Sequence, residues 1–466
     1  MGLRFYNSMA RRLEDFEPLE EGDVRMYTCG PTVYDYAHIG NFRAYLFEDL
    51  LRRYLKFRGY QVTQVMNLTD VDDKTIRASR ERGVTLGAYT QVYKDAFFED
   101  LRTLGIEPAE YYPAATDHVQ EMIALIQRLF DAGLAYRSDD GSVYFSIGKF
   151  AGYGKLAHLD LSGLKAGARV AQDEYEKENV ADFALWKAWS EKDGDVAWDS
   201  PWGRGRPGWH IECSAMSMKH LGESFDLHTG GVDNIFPHHE DEIAQSEGAT
   251  GKPFVRYWLH CAHLVVDGRK MSKSLGNFFT LRDVVARGYS GREIRYELMA
   301  THYRQSLNFT FQALDGARAA LQRIDEFVER LGSAVPGETA SGSLPAWAGD
   351  ARKKFVAALD EDLNMSGALG ALFDMVHAGN KALDEKAVSR GEASATLTLL
   401  DEFDKVLGFL RPQQGEVEKE ALAILALRQE ARANRNWAEA DRLREEFEAR
   451  GWMVQDTPQG PKLKRL

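Results

Sequence analysis

Between Val24 and Met66 the chain reads strand, turn, helix, strand, and few architectures accept that order in so short a stretch. Residues 24–29 (Val-Arg-Met-Tyr-Thr-Cys) form an apolar run suited to a buried strand, followed by a turn holding Gly30 and Pro31. From about His38 to Phe57, the residues Phe42, Leu46, Leu50, Tyr54 and Phe57 recur at helical spacing, and Gly59 closes the helix. Gln61–Met66 reads as the next strand. This opening predicts an α/β fold built on a doubly wound parallel sheet of the Rossmann type.

A chain of 466 residues is too long for one hydrophobic core, so further domains are expected. The expected plan has the first half of the sheet domain at 1–112, a connective insertion at 113–207 and the second half at 208–284. The sheet pattern resumes near Trp209. Beyond about Thr280 the chain reads helical, with one segment at 285–332 and a bundle at 346–410. A small terminal domain is expected at 418–466. Linkers are expected at 333–343, which is rich in Gly, Ser and Pro, and at 411–415.

Hydrophobic residues make up 44% and charged residues 28%, as in ordinary soluble proteins. No apolar run approaches the roughly 20 residues that span a bilayer, and the N-terminus lacks a secretory pattern. A cytoplasmic protein with no membrane partner is expected. Three scattered cysteines, Cys29, Cys213 and Cys261, argue against a disulfide framework and leave metal ligation or plain burial. The net charge of −13 is uneven: residues 418–466 carry ten Lys/Arg and nine Asp/Glu, leaving −14 for the rest. The tail therefore permits a polyanionic partner that the total charge alone would oppose.

Three constellations carry chemistry. His38-Ile39-Gly40-Asn41 opens the long helix, where free N–H groups and the dipole suit phosphate. Residues 270–277 (Lys-Met-Ser-Lys-Ser-Leu-Gly-Asn) form a cationic loop able to neutralise a triphosphate. The third set is Cys29, Cys213, and the pair His238 and Glu242, which follow Pro237 at i and i+4 on one helix face. Two thiolates, an imidazole and a carboxylate suit zinc, though lone cysteines are commonly just small buried residues. His239 and Glu240 are the nearby competitors, with His239 expected on another face of the helix. Cys261 is read as a buried free thiol. In the tail, Trp437 among Arg432 and Arg444 suits stacking on an unpaired base, or else the core of an amphipathic helix.

The first two elements together resemble the HIGH and KMSKS motifs of class I aminoacyl-tRNA synthetases, with Asn41 in place of the second histidine. Residues 29–35, 209–213 and 237–242 resemble the zinc site of cysteinyl-tRNA synthetases, and the likeness continues through 67–74, 228–233 and the tail. The resemblance implies ATP-dependent activation of L-cysteine and its transfer to tRNA(Cys). It implies one zinc held by Cys29, Cys213, His238 and Glu242, and Mg²⁺ arriving with ATP. His38, Lys270 and Lys273 would be catalytic, with Gly40, Asn41, Gly231 and Asp233 also at the nucleotide. Thr69, Trp209 and His228 would surround the amino acid. Arg432, Trp437, Asp441, Arg444 and Asp456 would read the anticodon, residues 285–332 would meet the tRNA stem, and a monomer is expected. Zinc would select a thiol over a hydroxyl, so no editing domain is expected. Two rivals share part of the pattern. A cysteine:amino-sugar ligase of mycothiol synthesis lacks the tail, and a non-catalytic tRNA-binding paralogue would have no need of both ATP motifs.

Overall fold

The computed structural model describes residues 2–159, 169–170, 181–335, 342–411, 416–434, 436–449, 452–457 and 460–465. Most of the two expected linkers, 336–341 and 412–415, lies outside the described residues. The chain divides into two compact units, Met1–Leu410 and Arg411–Leu466.

An antiparallel hairpin, β1 (Arg4–Asn7) and β2 (Arg12–Asp15), precedes the elements read from sequence. Then come β3 (Asp23–Thr28), α1 (Ile39–Phe57) and β4 (Gln61–Met66). Cys29 thus falls one residue past its strand, and His38 caps its helix instead of lying within it. Helices α2 (Asp73–Glu81) and α3 (Leu86–Thr103) complete the first half.

The segment that follows holds α4 (Val119–Asp131) and a small sheet of β5 (Ala135–Arg137), β6 (Val143–Phe145), β7 (Arg169–Val170), β8 (Asp182–Ala188) and β9 (Gly205–Pro207). Trp209 does not resume the sheet. It opens α5 (Trp209–Leu221), and the sheet returns with β10 (Phe225–Gly231), α6 (His238–Thr250) and β11 (Val255–Cys261). The strand order β11-β10-β3-β4 is parallel throughout, so the direction of winding reverses between β10 and β3. Ligands in such sheets bind beyond the carboxyl ends of the strands at that reversal. Successive residues supply opposite faces: Met26 and Leu259 enter one core, Tyr27 and Trp258 the other.

Past the sheet lie β12 (Leu264–Val266), β13 (Arg269–Lys270), α7 (Leu281–Val285), α8 (Gly291–Ala300), β14 (Leu307–Phe309) and α9 (Phe311–Ser333). The helical reading of this stretch misses β14, which pairs in parallel with β12. Helices α10 (Ala346–Asp360), α11 (Met365–Asp384) and α12 (Arg390–Leu407) share one core with α1. In the second unit, α13 (Glu416–Ala433) and α14 (Trp437–Ala449) precede an antiparallel hairpin, β15 (Trp452–Thr457) and β16 (Gly460–Arg465). Among the described residues no helix is long and apolar enough to cross a membrane.

Two buried arginines tie α1 to this helical layer. Arg43 donates to the carbonyls of Thr301, His302 and Gln305, beyond the end of α8. Arg295 meets Asp49 at 2.5 Å, both side chains fully buried, and donates to the Leu407 carbonyl at 2.7 Å. Removing the carboxylate leaves a guanidinium in the core without its counter-charge. Asp49→Ala is expected to cost about 3–5 kcal/mol of stability, read from urea unfolding.

Candidate active site and metal centre

A cavity of about 540 Å³ opens beyond the ends of β3 and β10, where the strand order reverses. One wall is the start of α1. His38 accepts the Asn41 N–H on Nδ1 (3.2 Å), and the Asn41 carboxamide oxygen accepts the His38 N–H (3.1 Å). This reciprocal cap fixes the ring and leaves the imidazole proton on Nε2, where it can be donated. Burial lowers the pKa of His38, against an opposing pull from Asp233, and this favours the neutral donor. Asn41 is therefore a working part of the motif: its amide makes the cap. A Cβ on Gly40 would lie 3.0 Å from the His38 ring and 3.3 Å from Met271, so a side chain there would press ring and loop apart.

The cationic loop closes against that wall. Ile39 N–H donates to the Phe279 carbonyl (3.0 Å), and Ser272 N–H to Asn277 Oδ1 (2.8 Å). Lys270 lines the cavity, while the Lys273 ammonium sits 2.7 Å from Asp35. Gly231 and Asp233 line the same space, as do Thr69 and Trp209.

Cys29, Cys213 and His238 line this cavity, and their ligand atoms and that of Glu242 all lie within 4.8 Å of one another. Each comes from a different structural device. Cys29 follows β3 on a turn whose Gly30 touches backbone: a Cβ there would stand 1.8 Å from the Asn67 carbonyl oxygen. Cys213 rides the second turn of α5, and His238 and Glu242 share a face of α6. Pro237 caps that helix, one residue before the place expected for it.

His238 Nε2 and Glu242 Oε1 are 3.1 Å apart, yet that buried oxygen makes no hydrogen bond among the described residues. The four donor atoms are close enough together to share one ion. Burial, and then the charge of Cys213, push Glu242 well above the usual carboxyl range, so a cation would favour its charged form. Burial also opposes the Cys213 thiolate, but Cys29 and His238 overcome it and draw that pKa well below the ordinary thiol value. Sulfur, nitrogen and oxygen donors in this number fit zinc.

Two expectations change here. His239 does not face away: its Nε2 is 3.2 Å from Cys29 Sγ, and Cys29, His228, His239 and Glu242 form a second, overlapping group. His228, expected beside the amino acid, is fully buried and meets Glu242 Oε2 at 2.9 Å, behind the cavity wall. Glu240 is otherwise engaged, accepting the N–H groups of Gly154, Leu156 and Ala157 at 2.8–2.9 Å. Cys261 is buried, and burial pushes its thiol up to about 12.

Further side chains, outside the four-ligand set, orient these ligands. His210 Nδ1 lies 2.9 Å from His238 Nδ1, and His210 Nε2 lies 3.3 Å from Asp241. His210 and Asp241 each sit three residues from a ligand on the same helix, and that spacing was the available signal.

Burial holds His260 near a pKa of about 3, against about 6.5 in an unfolded chain. The unfolded state then binds the extra proton first, so stability present above pH 6.5 is lost as the pH falls towards 3. In metal-free protein the stability gap between wild type and His260→Asn is expected to narrow by about 2 kcal/mol from pH 7 to pH 5. Denaturant titrations of both proteins at the two pH values measure it.

In the second unit, Trp437 at the start of α14 is 59% exposed, which rules out the core reading of that residue. Asp441 and Arg444 are exposed on the same helix, and Arg432 is exposed on α13. Asp456 belongs to β15, but its side chain lies outside the described residues.

Comparison with known proteins bears on all of these parts. Residues 15–319 match the family model described as tRNA synthetases class I (C) catalytic domain. Residues 354–411 match the DALR domain, and 414–461 the Cysteinyl-tRNA ligase anticodon binding domain. The chain is 52% identical to the Cysteine--tRNA ligase of Protochlamydia amoebophila (strain UWE25), over 99% of this chain and 98% of that one. It is equally 52% identical to the Cysteine--tRNA ligase of Chlamydia pneumoniae, over 100% and 98%. Among solved structures, Mycobacterium tuberculosis methionyl-tRNA synthetase in complex with methionyl-adenylate superposes with a TM-score of 0.62. It covers 86% of this chain and 94% of its own at 17% identity, a likeness of fold alone.

Proposed function

Since the chain belongs to the cysteine–tRNA ligase family of class I tRNA synthetases, we propose that the cavity activates L-cysteine with ATP and passes it to tRNA(Cys). The observation that carries this reading is the convergence of Cys29, Cys213, His238 and Glu242, the first three of which line a cavity walled by His38 and Lys270. The match of 414–461 to an anticodon-binding domain favours tRNA over an amino-sugar as acceptor, and the intact ATP elements disfavour a non-catalytic paralogue.

A zinc ion held by the four ligands would supply a soft Lewis acid that binds and selects the substrate's thiolate. The remaining work falls to the chain. Thr69 and Trp209 bound the amino acid, and Gly231 and Asp233 the nucleoside. The cysteine carboxylate attacks the α-phosphorus of ATP, forming a C–O–P bond as the bond to pyrophosphate breaks, with Mg²⁺ accompanying ATP. His38 Nε2–H donates to the phosphate oxygens, and Lys270 and Lys273 offset the charge that builds on them. No base is needed on a carboxylate nucleophile, so positioning and electrostatics suffice. A terminal ribose hydroxyl of tRNA then attacks the acyl carbon and releases AMP. Arg432, Trp437, Asp441, Arg444 and Asp456 form the proposed anticodon contacts, by stacking and phosphate neutralisation.

The test is charging of tRNA(Cys) with cysteine, before and after zinc chelation. Loss on chelation and return with zinc are expected. Serine is expected to be charged less by more than the roughly 10–200-fold that shape alone gives. Charging that survives complete removal of metal, or serine accepted about as well as cysteine, overturns the reading.

A further inference from the structure

One acidic residue stands inside the ATP machinery without a role in the chemistry above. Asp35 lies on the turn that joins the candidate metal ligand Cys29 to the helix cap His38. Its carboxylate is held at both oxygens: Oδ1 accepts the Tyr36 N–H (2.9 Å), and Oδ2 accepts the Lys273 ammonium (2.7 Å). We infer that Asp35 is the resting counter-ion of Lys273, occupying the ammonium until the triphosphate takes it and recovering it as pyrophosphate leaves.

Three features support an exchange of partners over a permanent structural bridge. The pair is open to solvent, with side-chain exposures of 65% for Lys273 and 37% for Asp35, so incoming phosphate can reach the ammonium. The loop does not depend on the pair for its place. Ile39 N–H to the Phe279 carbonyl, Ser272 N–H to Asn277, and the close approach of Met271 to Gly40 do not involve the ammonium. The ammonium has a second resting contact, 5.1 Å from the Phe278 ring centroid, and that ring meets His38 edge-on. Lys273 is therefore parked beside the histidine with which it would share the phosphates. Asp35 has no hydrogen to donate to ATP, so it acts through Lys273 as a positioning residue.

The proposal rests on the ATP reading above, and its consequence is a split between kinetic constants. Removing the competitor lowers the free energy of the ATP complex and of the transition state alike, relative to free enzyme. Asp35→Asn keeps the acceptor for Tyr36 N–H and deletes only the charge. In cysteine-dependent exchange of pyrophosphate into ATP with the full-length zinc-loaded protein, KM for ATP is expected to fall roughly two- to fivefold, the size of an exposed ion pair. The rate constant at saturation stays unchanged, and pyrophosphate inhibits at correspondingly lower concentration. Asp35→Glu, which can restore the pair, returns KM towards wild type. The double variant with Lys273→Ala decides the route: Asp35→Asn should have no effect on KM when Lys273 is already absent. An unchanged or higher KM in Asp35→Asn overturns the inference. So does the same fall in the Lys273→Ala background, which would mean that Asp35 merely repels ATP. A wild-type protein with no exchange activity would instead sink the ATP reading itself.

Discussion

Cys213→Ser is expected to cut bound zinc by at least tenfold and cysteine-dependent ATP–pyrophosphate exchange by at least about a thousandfold. Cys213 is 1% exposed on α5, and its sulfur lies within 4.8 Å of the other three ligand atoms. Serine preserves the size of the side chain but offers a hydroxyl that ionises far less readily than a thiol and binds soft metal poorly. Altering groups that merely orient a ligand already costs 10–100-fold in metal affinity or activity, so losing a ligand should cost more. Metal content after gel filtration gives the first number, independent of any turnover. Cys261→Ser supplies the contrast. That thiol lines the cavity but lies outside both ligand groups, so zinc content should hold at wild-type level. Equal zinc loss in the two variants would remove Cys213 from the ligand set. A variant that kept its zinc but lost exchange would assign Cys213 to substrate contact.

The parts of this site that sequence could reveal were those set by short-range regularities. A strand, a glycine turn and a helix cap are local events, so β4 was located to the residue and α1 to within one. His238 and Glu242 could be paired because i and i+4 share a helix face whatever the tertiary fold. Cys29 and Cys213 could not be brought together by spacing, since their meeting depends on β3 pairing with β10 and on α5 packing beside β3. Family resemblance supplied that link. The same long-range packing decides the surroundings of His239. A helical wheel gives its direction relative to His238, but not that Cys29 and His260 wait on that side too. Trp209 opens a helix although Trp209, Ile211 and Cys213 alternate with polar residues, a period that over so few positions suits a strand. The hairpin β1–β2 carries little sequence signal because each strand has only four residues, half of β1 being intermediate and all of β2 exposed or intermediate.

Lys273→Ala is the second large effect, expected to lower the exchange rate at saturation by about 10²–10³ while changing KM for ATP by less than about threefold. The asymmetry follows from where the ammonium starts. In the free protein Lys273 already has an anionic partner at 2.7 Å, so binding ATP trades one anion for another and gains little in the ground state. During displacement, negative charge builds on the departing pyrophosphate, and an ammonium that stabilises charge only as it develops accelerates the step without tightening binding. His38 contributes a neutral imidazole proton fixed by Asn41, so it cannot replace a full positive charge. Lys273→Arg separates charge from geometry. The planar guanidinium keeps the charge but satisfies Asp35 differently, so partial recovery of the rate is expected. A tenfold or greater rise in KM with an unchanged saturating rate would mean instead that Lys273 serves only to bind ATP. A transition-state role predicts the reverse, together with a loss in tRNA charging no larger than the loss in exchange, since transfer from the adenylate breaks no bond to pyrophosphate.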